Sequence, residues 1–189
     1  MKHPWIYFFG NQNADGGSEI KHLIGGKGAS LGDMTRQGLH VPPGFTISAE
    51  CCDHYFRHAR SWPDGLEAEL RASLRRLEGL AGRTFGQGGE PLLVAVRSGA
   101  AQSMPGMMDT LLNVGLHPEC VRAMSERGNG GAWRAYRRFL AAFAEIVLGV
   151  SPESLGAWQR DVGPEADDPA SGEAACQRLG DPIAPGTGQ

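Results

Sequence analysis

The sequence predicts an α+β fold with three parts. Residues 1–116 are expected to form a lobe of strands and helices, 117–160 a small helical subdomain, and 161–189 a disordered Gly/Pro-rich tail. The lobe is indicated by short apolar runs of strand length that alternate with helical patterns. The subdomain is indicated by one apolar stripe at helical spacing: Trp133, Tyr136, Leu140, Phe143 and Val147. The tail has almost no large apolar residues, a composition that does not support a packed core.

The composition and the absence of certain motifs exclude several classes of protein. The chain of 189 residues carries a net charge of −3 and is 41% hydrophobic, so neither nucleic acid nor an anionic membrane is expected as its main partner. No apolar run is long enough to span a bilayer and the start is not of secretory type, so a cytoplasmic protein is expected. The four cysteines have neither zinc-knuckle nor CxxC spacing and are predicted to be buried or idle thiols.

The first elements follow from local patterns. Residues 5–9 are an aromatic-rich run that ends at Gly10 and are predicted to form the first strand. Residues 25–31 lead into a helix that is expected to end near Gly38. Residues 45–48 follow a Pro-Pro-Gly turn and alternate like a short strand.

The later elements are predicted in the same way. One helix is expected over 49–60, and a second begins at about Asp64, a plausible cap. Residues 91–96 form a continuous apolar run, which predicts a strand buried on both faces. Arg97 stands directly at its carboxy end, and residues 118–128 are predicted to be helical.

The string Gly25-Gly26-Lys27-Gly28 is a candidate phosphate contact, because it opens the first predicted helix. Glycines let a backbone approach a ligand closely, and the free amides at a helix start favour anions. Lys27 would add a mobile positive charge. The spacing is not that of a Walker A loop, and an ordinary turn with an exposed lysine remains the alternative.

Arg97 is the second candidate. In open α/β sheets, ligands collect at the carboxy ends of strands, and a guanidinium there can bind a phosphate in a bidentate way. A structural ion pair with a neighbouring carboxylate is an equal alternative. The loop that follows combines small residues and hydroxyls with Met104, Met107 and Met108. Such a cluster of methionines is typical of core packing or of a lid that excludes water from a nucleotide.

Four blocks of sequence resemble the pyruvate, phosphate dikinase family. They are YFFG at 7–10, GGKGASL at 25–31, VPPGFTIS at 41–48, and LLVAVRSGA at 92–100 with SMPGMMDT at 103–110. They stand in the family's order and at roughly its spacing, and the resemblance covers about residues 5–50 and 90–150. The MPGMMDT string is the most specific of them.

The resemblance implies a fold and a set of roles. The expected fold is the first lobe of an ATP-grasp-type nucleotide-binding domain, followed by a small helical subdomain. Arg97 matches the family's phosphate-contacting arginine and is the candidate catalytic residue. The residues that the resemblance assigns to ATP binding are Lys27, Arg97, Ser98, Gly99, Ser103, Met104, Gly106, Asp109 and Thr110. The implied reaction converts ATP, phosphate and pyruvate to AMP, pyrophosphate and phosphoenolpyruvate through a phosphohistidine on a swivelling domain.

The resemblance also indicates what this chain lacks. The family's Mg²⁺ ligands come from the second ATP-grasp lobe, and its phosphohistidine and pyruvate site lie further on. None of the six histidines has the phosphohistidine context. The chain is therefore expected to bind ATP with Mg²⁺ held elsewhere, and to be a truncated kinase domain that is inactive alone. Ala101-Gln102 replaces a commonly basic position, which would weaken phosphate contact.

Two other readings stay open at this stage. The chain could be a stand-alone regulatory module that binds nucleotide, a complementing dikinase chain or a second copy of itself. It could also be a remnant without function. Half of a two-lobed clamp should expose an apolar face in either case.

Overall fold

A computed structural model describes residues 3–99 and 109–156 of the chain. It contains two compact units. The first is built from the chain up to Gly82 together with Ser98 and Gly99. The second is built from residues 83–97 and the described chain from Asp109 onward.

The first unit contains a three-stranded antiparallel sheet. Strand β1, Ile6–Gly10, lies between β2, Asn13–Ala14, and β3, Gly44–Ile47. Ile6 stands opposite Ile47, and Phe9 stands opposite Gly44 on one side and Ala14 on the other. The predicted first strand and the short strand before residue 48 are thus both present.

The helices of the first unit cover both faces of β1. They are a 3₁₀ turn, Ser18–Ile20, and the α-helices α1, Lys21–Arg36, α2, Ala49–Arg57, and α3, Leu66–Ala81. Successive residues of a strand point to opposite faces. Tyr7 accordingly packs with Leu23, Ile24 and Ala29 of α1, whereas Ile6 packs with Cys51 of α2 and Leu66 of α3. Burial on both faces explains why the strand is apolar at every position.

Two predicted helix limits are corrected. The helix expected over 49–60 ends at Arg57, because Ala59 and Arg60 have positive φ angles of 49° and 61°. Asp64 is not the cap of α3: Gly65 holds that position with a φ of 89°, and the Asp64 carbonyl accepts a hydrogen bond from Trp5 Nε1 at 3.1 Å.

The second unit packs a hairpin against two helices. Strands β4, Val94–Arg97, and β5, Thr110–Val114, are antiparallel, with Arg97 opposite Thr110. Helices α4, Pro118–Glu126, and α5, Ala132–Ile146, follow. The core of this unit consists of Leu116, Cys120, Val121, Ala132, Trp133 and Tyr136. Three of the predicted stripe residues, Trp133, Tyr136 and Leu140, contribute to it, whereas Val147 lies beyond the helix and is 54% exposed.

The prediction that residues 91–96 form a strand buried on both faces is wrong. The strand begins at Val94, its one partner among the described residues is antiparallel, and Val96 is 51% exposed. An apolar run indicates that a segment favours a β-strand. It does not indicate whether one face or both faces of that strand are covered by other elements.

The predicted domain limit at residue 116 stays a prediction, and the compact units divide the chain at other residues. The β4–β5 hairpin belongs with α4 and α5, because α5 packs on β5. The predicted tail, 161–189, and the end of the predicted helical subdomain, 157–160, lie outside the described residues. Within the described part of the chain, no helix is long and apolar enough to cross a membrane.

Candidate functional site

Helix α1 is interrupted at the glycine string that the sequence singled out. Gly25 has φ 69° and ψ 175°, a backbone conformation that is open essentially only to glycine. The helix therefore consists of two segments, and the second segment begins directly after Gly25. The first amide groups of such a segment have no acceptor inside it and are available to an anion.

The prediction that this string opens a helix is corrected in part. Helix α1 already begins at Lys21, four residues before Gly25. The break at Gly25 nevertheless creates a second helix start inside the string, which is the feature that the phosphate argument requires.

The glycines on either side of Lys27 have different roles. A Cβ on Gly28 would lie 3.0 Å from Thr46 Oγ1 and 3.2 Å from Thr46 Cγ2, so the absence of a side chain lets α1 pack closely on β3. Gly26 has more space, since among the described residues outside the backbone of its own helix a Cβ would meet only the Lys21 side chain, at 3.7 Å.

Lys27 projects from the new segment and is exposed. Its Nζ donates a hydrogen bond to the backbone oxygen of Ser98 at 3.3 Å. Ser98 directly follows Arg97 in the chain and begins the loop that the sequence analysis assigned to the nucleotide. Lys27 of the Gly25–Gly28 string thus contacts the backbone of the loop that follows Arg97.

Arg97 ends strand β4 and is exposed, as are Ser98 and Gly99. None of the ion pairs found among the described residues involves Arg97. The alternative of a structural ion pair therefore finds no support in the part of the chain that the structure covers.

The remaining predicted residues divide into two groups. Thr110 begins β5 opposite Arg97 and is half-buried, and Asp109 precedes it and is exposed. Ser103, Met104 and Gly106 lie outside the described residues, together with the methionine cluster. Lys27 and Ser98 belong to the first unit, whereas Arg97, Asp109 and Thr110 belong to the second.

The described residues contain no cluster of three metal-binding side chains. Over 3–99 and 109–156, no group of three or more His, Cys, Asp or Glu side chains is placed to hold a metal ion. In nucleotide sites Mg²⁺ is usually held by one or two carboxylates together with waters and substrate phosphates, so the location of its protein ligands stays a prediction.

A cavity of about 620 Å³ in the second unit was not predicted from the sequence. Its walls are the glycine-containing stretch 85–88 and the start of α4. Nε2 of His117 contacts the backbone oxygen of Gly86 at its edge. Burial raises the pKa of the Cys120 thiol, which also lines it, so this thiol is a poor nucleophile at neutral pH. The sequence feature that corresponds to this cavity is the glycine-rich composition of residues 82–90.

Comparison with known proteins connects these observations. A family model described as the pyruvate phosphate dikinase AMP/ATP-binding domain matches residues 21–79, which include the glycine break and Lys27. The chain is similar to the pyruvate, phosphate dikinase of Rhizobium meliloti, with 45% identity over 151 residues. It is also similar to that of Giardia intestinalis, with 47% identity over 155 residues, and to pyruvate, phosphate dikinase 2 of Oryza sativa subsp. japonica, with 46% over 151.

Each of these alignments covers 79% of this chain and 17% of the relative. The chain thus spans about a sixth of the length of the curated relatives it matches. Identity of this order over most of the chain, together with the matching domain model, agrees with the resemblance carried by the four sequence blocks. The chain belongs to the pyruvate, phosphate dikinase family.

Proposed function

We propose that this chain binds ATP and serves as the nucleotide-binding part of a dikinase-type phosphotransferase. The observation that carries the proposal is the break at Gly25, which starts a new helical segment and leaves Lys27 exposed beside it. Free backbone amides at a helix start, together with the ammonium group of a neighbouring lysine, can bind phosphate oxygens. The break lies inside the region matched by the AMP/ATP-binding domain model.

Each proposed residue contributes in a different way. Lys27 supplies a mobile positive charge, and Arg97 supplies two parallel N–H groups that match a phosphate. Ser98, Gly99, Ser103 and Gly106 provide hydroxyls and close backbone approach, and Met104 covers the nucleotide. We assign Arg97 the catalytic role of neutralising charge that develops during phosphoryl transfer, because positioning and electrostatic stabilisation supply most of the catalysis in such reactions.

The proposed fold around these residues is the first lobe of an ATP-grasp-type domain. The reaction to which it would contribute is the conversion of ATP, phosphate and pyruvate to AMP, pyrophosphate and phosphoenolpyruvate. We propose that the chain does not complete this reaction alone, since it spans about a sixth of the length of the relatives that are named for the reaction. Mg²⁺ would then arrive with ATP, with protein ligands from the second lobe of an ATP-grasp-type domain.

A second function is favoured by exposed apolar side chains on the β4–β5 hairpin. Val96 is 51% exposed and Leu112 is 55% exposed, and they lie on opposite faces because Val96 stands opposite Leu111. Apolar side chains left exposed on both faces of a hairpin favour contact with another protein. The chain could therefore act as a regulatory module that pairs with a complementing dikinase chain or with a second copy of itself.

Thermal unfolding with and without Mg²⁺-ATP tests the first proposal. A ligand that binds only the folded state stabilises it by about 2.7 kcal/mol at 100 times its dissociation constant. For a chain of this size, that corresponds to an increase in Tm of about 5 to 10 °C. Lys27→Ala and Arg97→Ala should each reduce the increase without lowering the Tm of the free protein by a similar amount.

Two arginine variants serve as matched controls. Arg75 of α3 and Arg138 of α5 are exposed, so Arg75→Ala and Arg138→Ala should leave the increase unchanged. An absence of any shift at millimolar ATP would contradict ATP binding by this chain. A stoichiometric complex formed without nucleotide, measured by light scattering after size exclusion, would then support the partner-binding function.

A further inference from the structure

Lysine is rare in this chain, and two of its lysines lie close together. Of the 18 Lys and Arg residues, three are lysines: Lys2, Lys21 and Lys27. Lys21 begins α1, and Lys27 follows the break at Gly25 in the same helix. Lys27 belongs to the proposed ATP site, whereas that site as described does not use Lys21.

The side chain of Lys21 lies beside the start of the second segment of α1. A Cβ on Gly26 would be 3.7 Å from Cε of Lys21, the carbon that bears the ammonium group. Side chains three or four residues apart meet on a regular helix, so this approach between residues five apart accompanies the break at Gly25. The positive charge of Lys21 therefore stands close to the free amides that follow the break.

In the protein without a ligand, the position of Lys21 is electrostatically unfavourable. The residue is exposed, and none of the ion pairs found among the described residues involves it. It lies in the first turn of α1, which contains no acidic residue, and the partial positive charge of a helix start disfavours a cation there. A nearby carboxylate in the sequence, Glu19, pairs with Arg36 at 2.8 Å. A bound anion would relieve the repulsion.

We propose that Lys21 is a second phosphate-binding lysine, which makes the site around the Gly25–Gly28 string selective for a polyphosphate over a monophosphate. This inference rests on the proposed ATP binding and adds a residue to it. A helix start carries about +0.5 of an elementary charge and Lys27 adds one, against about −1.5 to −2 on a terminal phosphate group at pH 7. Within the first unit, Lys21 supplies the further cation that a longer phosphate chain needs. Its compact ammonium group has three rotatable donors and can follow that chain.

Isothermal titration calorimetry with ATP, AMP and inorganic tripolyphosphate tests this assignment. The parent should bind ATP and tripolyphosphate more tightly than AMP. Lys21→Gln should raise the dissociation constants for ATP and tripolyphosphate about tenfold, the effect of losing one hydrogen bond to a charged group. The same substitution should change the dissociation constant for AMP little. Lys21→Arg should retain most of the affinity, because it keeps the positive charge.

The stability of the ligand-free protein separates a role in binding from a structural one. Since a helix start disfavours a cation, Lys21→Gln should leave the Tm unchanged or raise it. Arg75→Gln is the matched control, because it removes one exposed positive charge from α3 of the same unit and should leave all three titrations unchanged. A lowered Tm together with an equal loss of affinity for ATP and AMP would overturn the assignment and indicate a structural role.

Acetylation of the lysine amines, followed by mass spectrometry, gives an independent measurement. ATP should protect Lys21 and Lys27 from acetylation, with Lys2 as the internal reference because it lies outside α1. Equal acetylation of Lys21 with and without ATP, while Lys27 is protected, would contradict the assignment.

The outcomes distinguish the role of Lys21 from ATP binding itself. Loss of ATP affinity in Lys27→Ala but not in Lys21→Gln would overturn the role of Lys21 and leave the proposed ATP site standing. Tripolyphosphate binding that depends on Lys21, in a parent that does not bind ATP, would support the role of Lys21 and contradict the ATP proposal. A parent that binds neither ATP nor tripolyphosphate would overturn both.

Discussion

Gly32 shows how a single position controls the approach of two elements. A Cβ at this position would lie 1.9 Å from the backbone oxygen of Gly16 and 3.4 Å from the Cα of Gly17. Both neighbours are backbone and cannot rotate away. The absence of a side chain at Gly32 therefore lets α1 lie against the turn that precedes it.

Gly32→Ala is expected to destabilise the first unit. Forcing extra volume into a packed region costs about 1 to 3 kcal/mol, which urea denaturation would measure. Gly79→Ala is the matched control, because Gly79 lies in α3 and its Cβ would meet nothing within 4 Å. That substitution should stabilise by up to about 1 kcal/mol through helix propensity. Equal effects of both substitutions would contradict the steric argument.

Only some of the contacts made by individual residues could be predicted from the sequence. Lys27 could be proposed because glycines flank it, and it is exposed in the structure, but its role stays a prediction. The contact of its Nζ with the Ser98 oxygen could not be predicted, since 71 residues separate the two in the chain. The approach of the Lys21 side chain to Gly26 was also not predicted, because it accompanies the break at Gly25.

At the scale of elements, α1 is joined to the preceding 3₁₀ turn by one carboxylate. Asp33 accepts hydrogen bonds from the Ser18 hydroxyl and from the Ser18 amide, the latter at 3.2 Å. These bonds, with a smaller effect of the Arg36 charge, hold the pKa of Asp33 below its ordinary value. The carboxylate thus binds protons less readily in the folded protein than in the unfolded chain.

The sign of the pH dependence follows from this lowered pKa. The contribution of Asp33 to stability is fully present above the unfolded pKa, near pH 4, and is lost as pH falls through the folded value. Asp33→Asn and Ser18→Ala should both reduce the loss of stability as the pH falls below about 4, as measured by urea denaturation at each pH. The pKa of Glu19 is also lowered, by its backbone amide and by Arg36, so both variants should retain part of the pH dependence of stability. An unchanged slope in both variants would contradict this role of Asp33.

At the scale of the whole molecule, each unit has its own core. In the first unit, Ile6 and Tyr7 lie on opposite faces of the sheet and belong to separate hydrophobic clusters. In the second, Trp133 is 1% exposed and lies at the centre of the packing between α4 and α5. The second unit is assembled from two chain segments, 83–97 and the described chain from Asp109 onward, and such an assembly cannot be read along the sequence.

Trp133→Ala should therefore cost the second unit about 3 to 5 kcal/mol. Trp133→Phe should cost less, because the indole Nε1 is buried with no hydrogen-bond partner among the described residues and its removal leaves no further polar group unpaired. Trp62→Ala is the control, since Trp62 is 55% exposed and should change stability by no more than about 0.5 kcal/mol. Denaturation followed by circular dichroism measures all three. A similar cost for Trp133→Ala and Trp62→Ala would contradict the placement of this core.

The sequence by itself determined the family, the mixed helix and strand content, and the order of the elements. Apolar periodicity and short motifs are local properties, and local properties can be read along a chain. Only the tertiary structure decided that β4 is exposed beyond Val94, that Gly25 divides α1, and that the hairpin belongs with α4 and α5. Burial and assembly depend on which distant segment supplies the covering surface, and no residue carries that information alone.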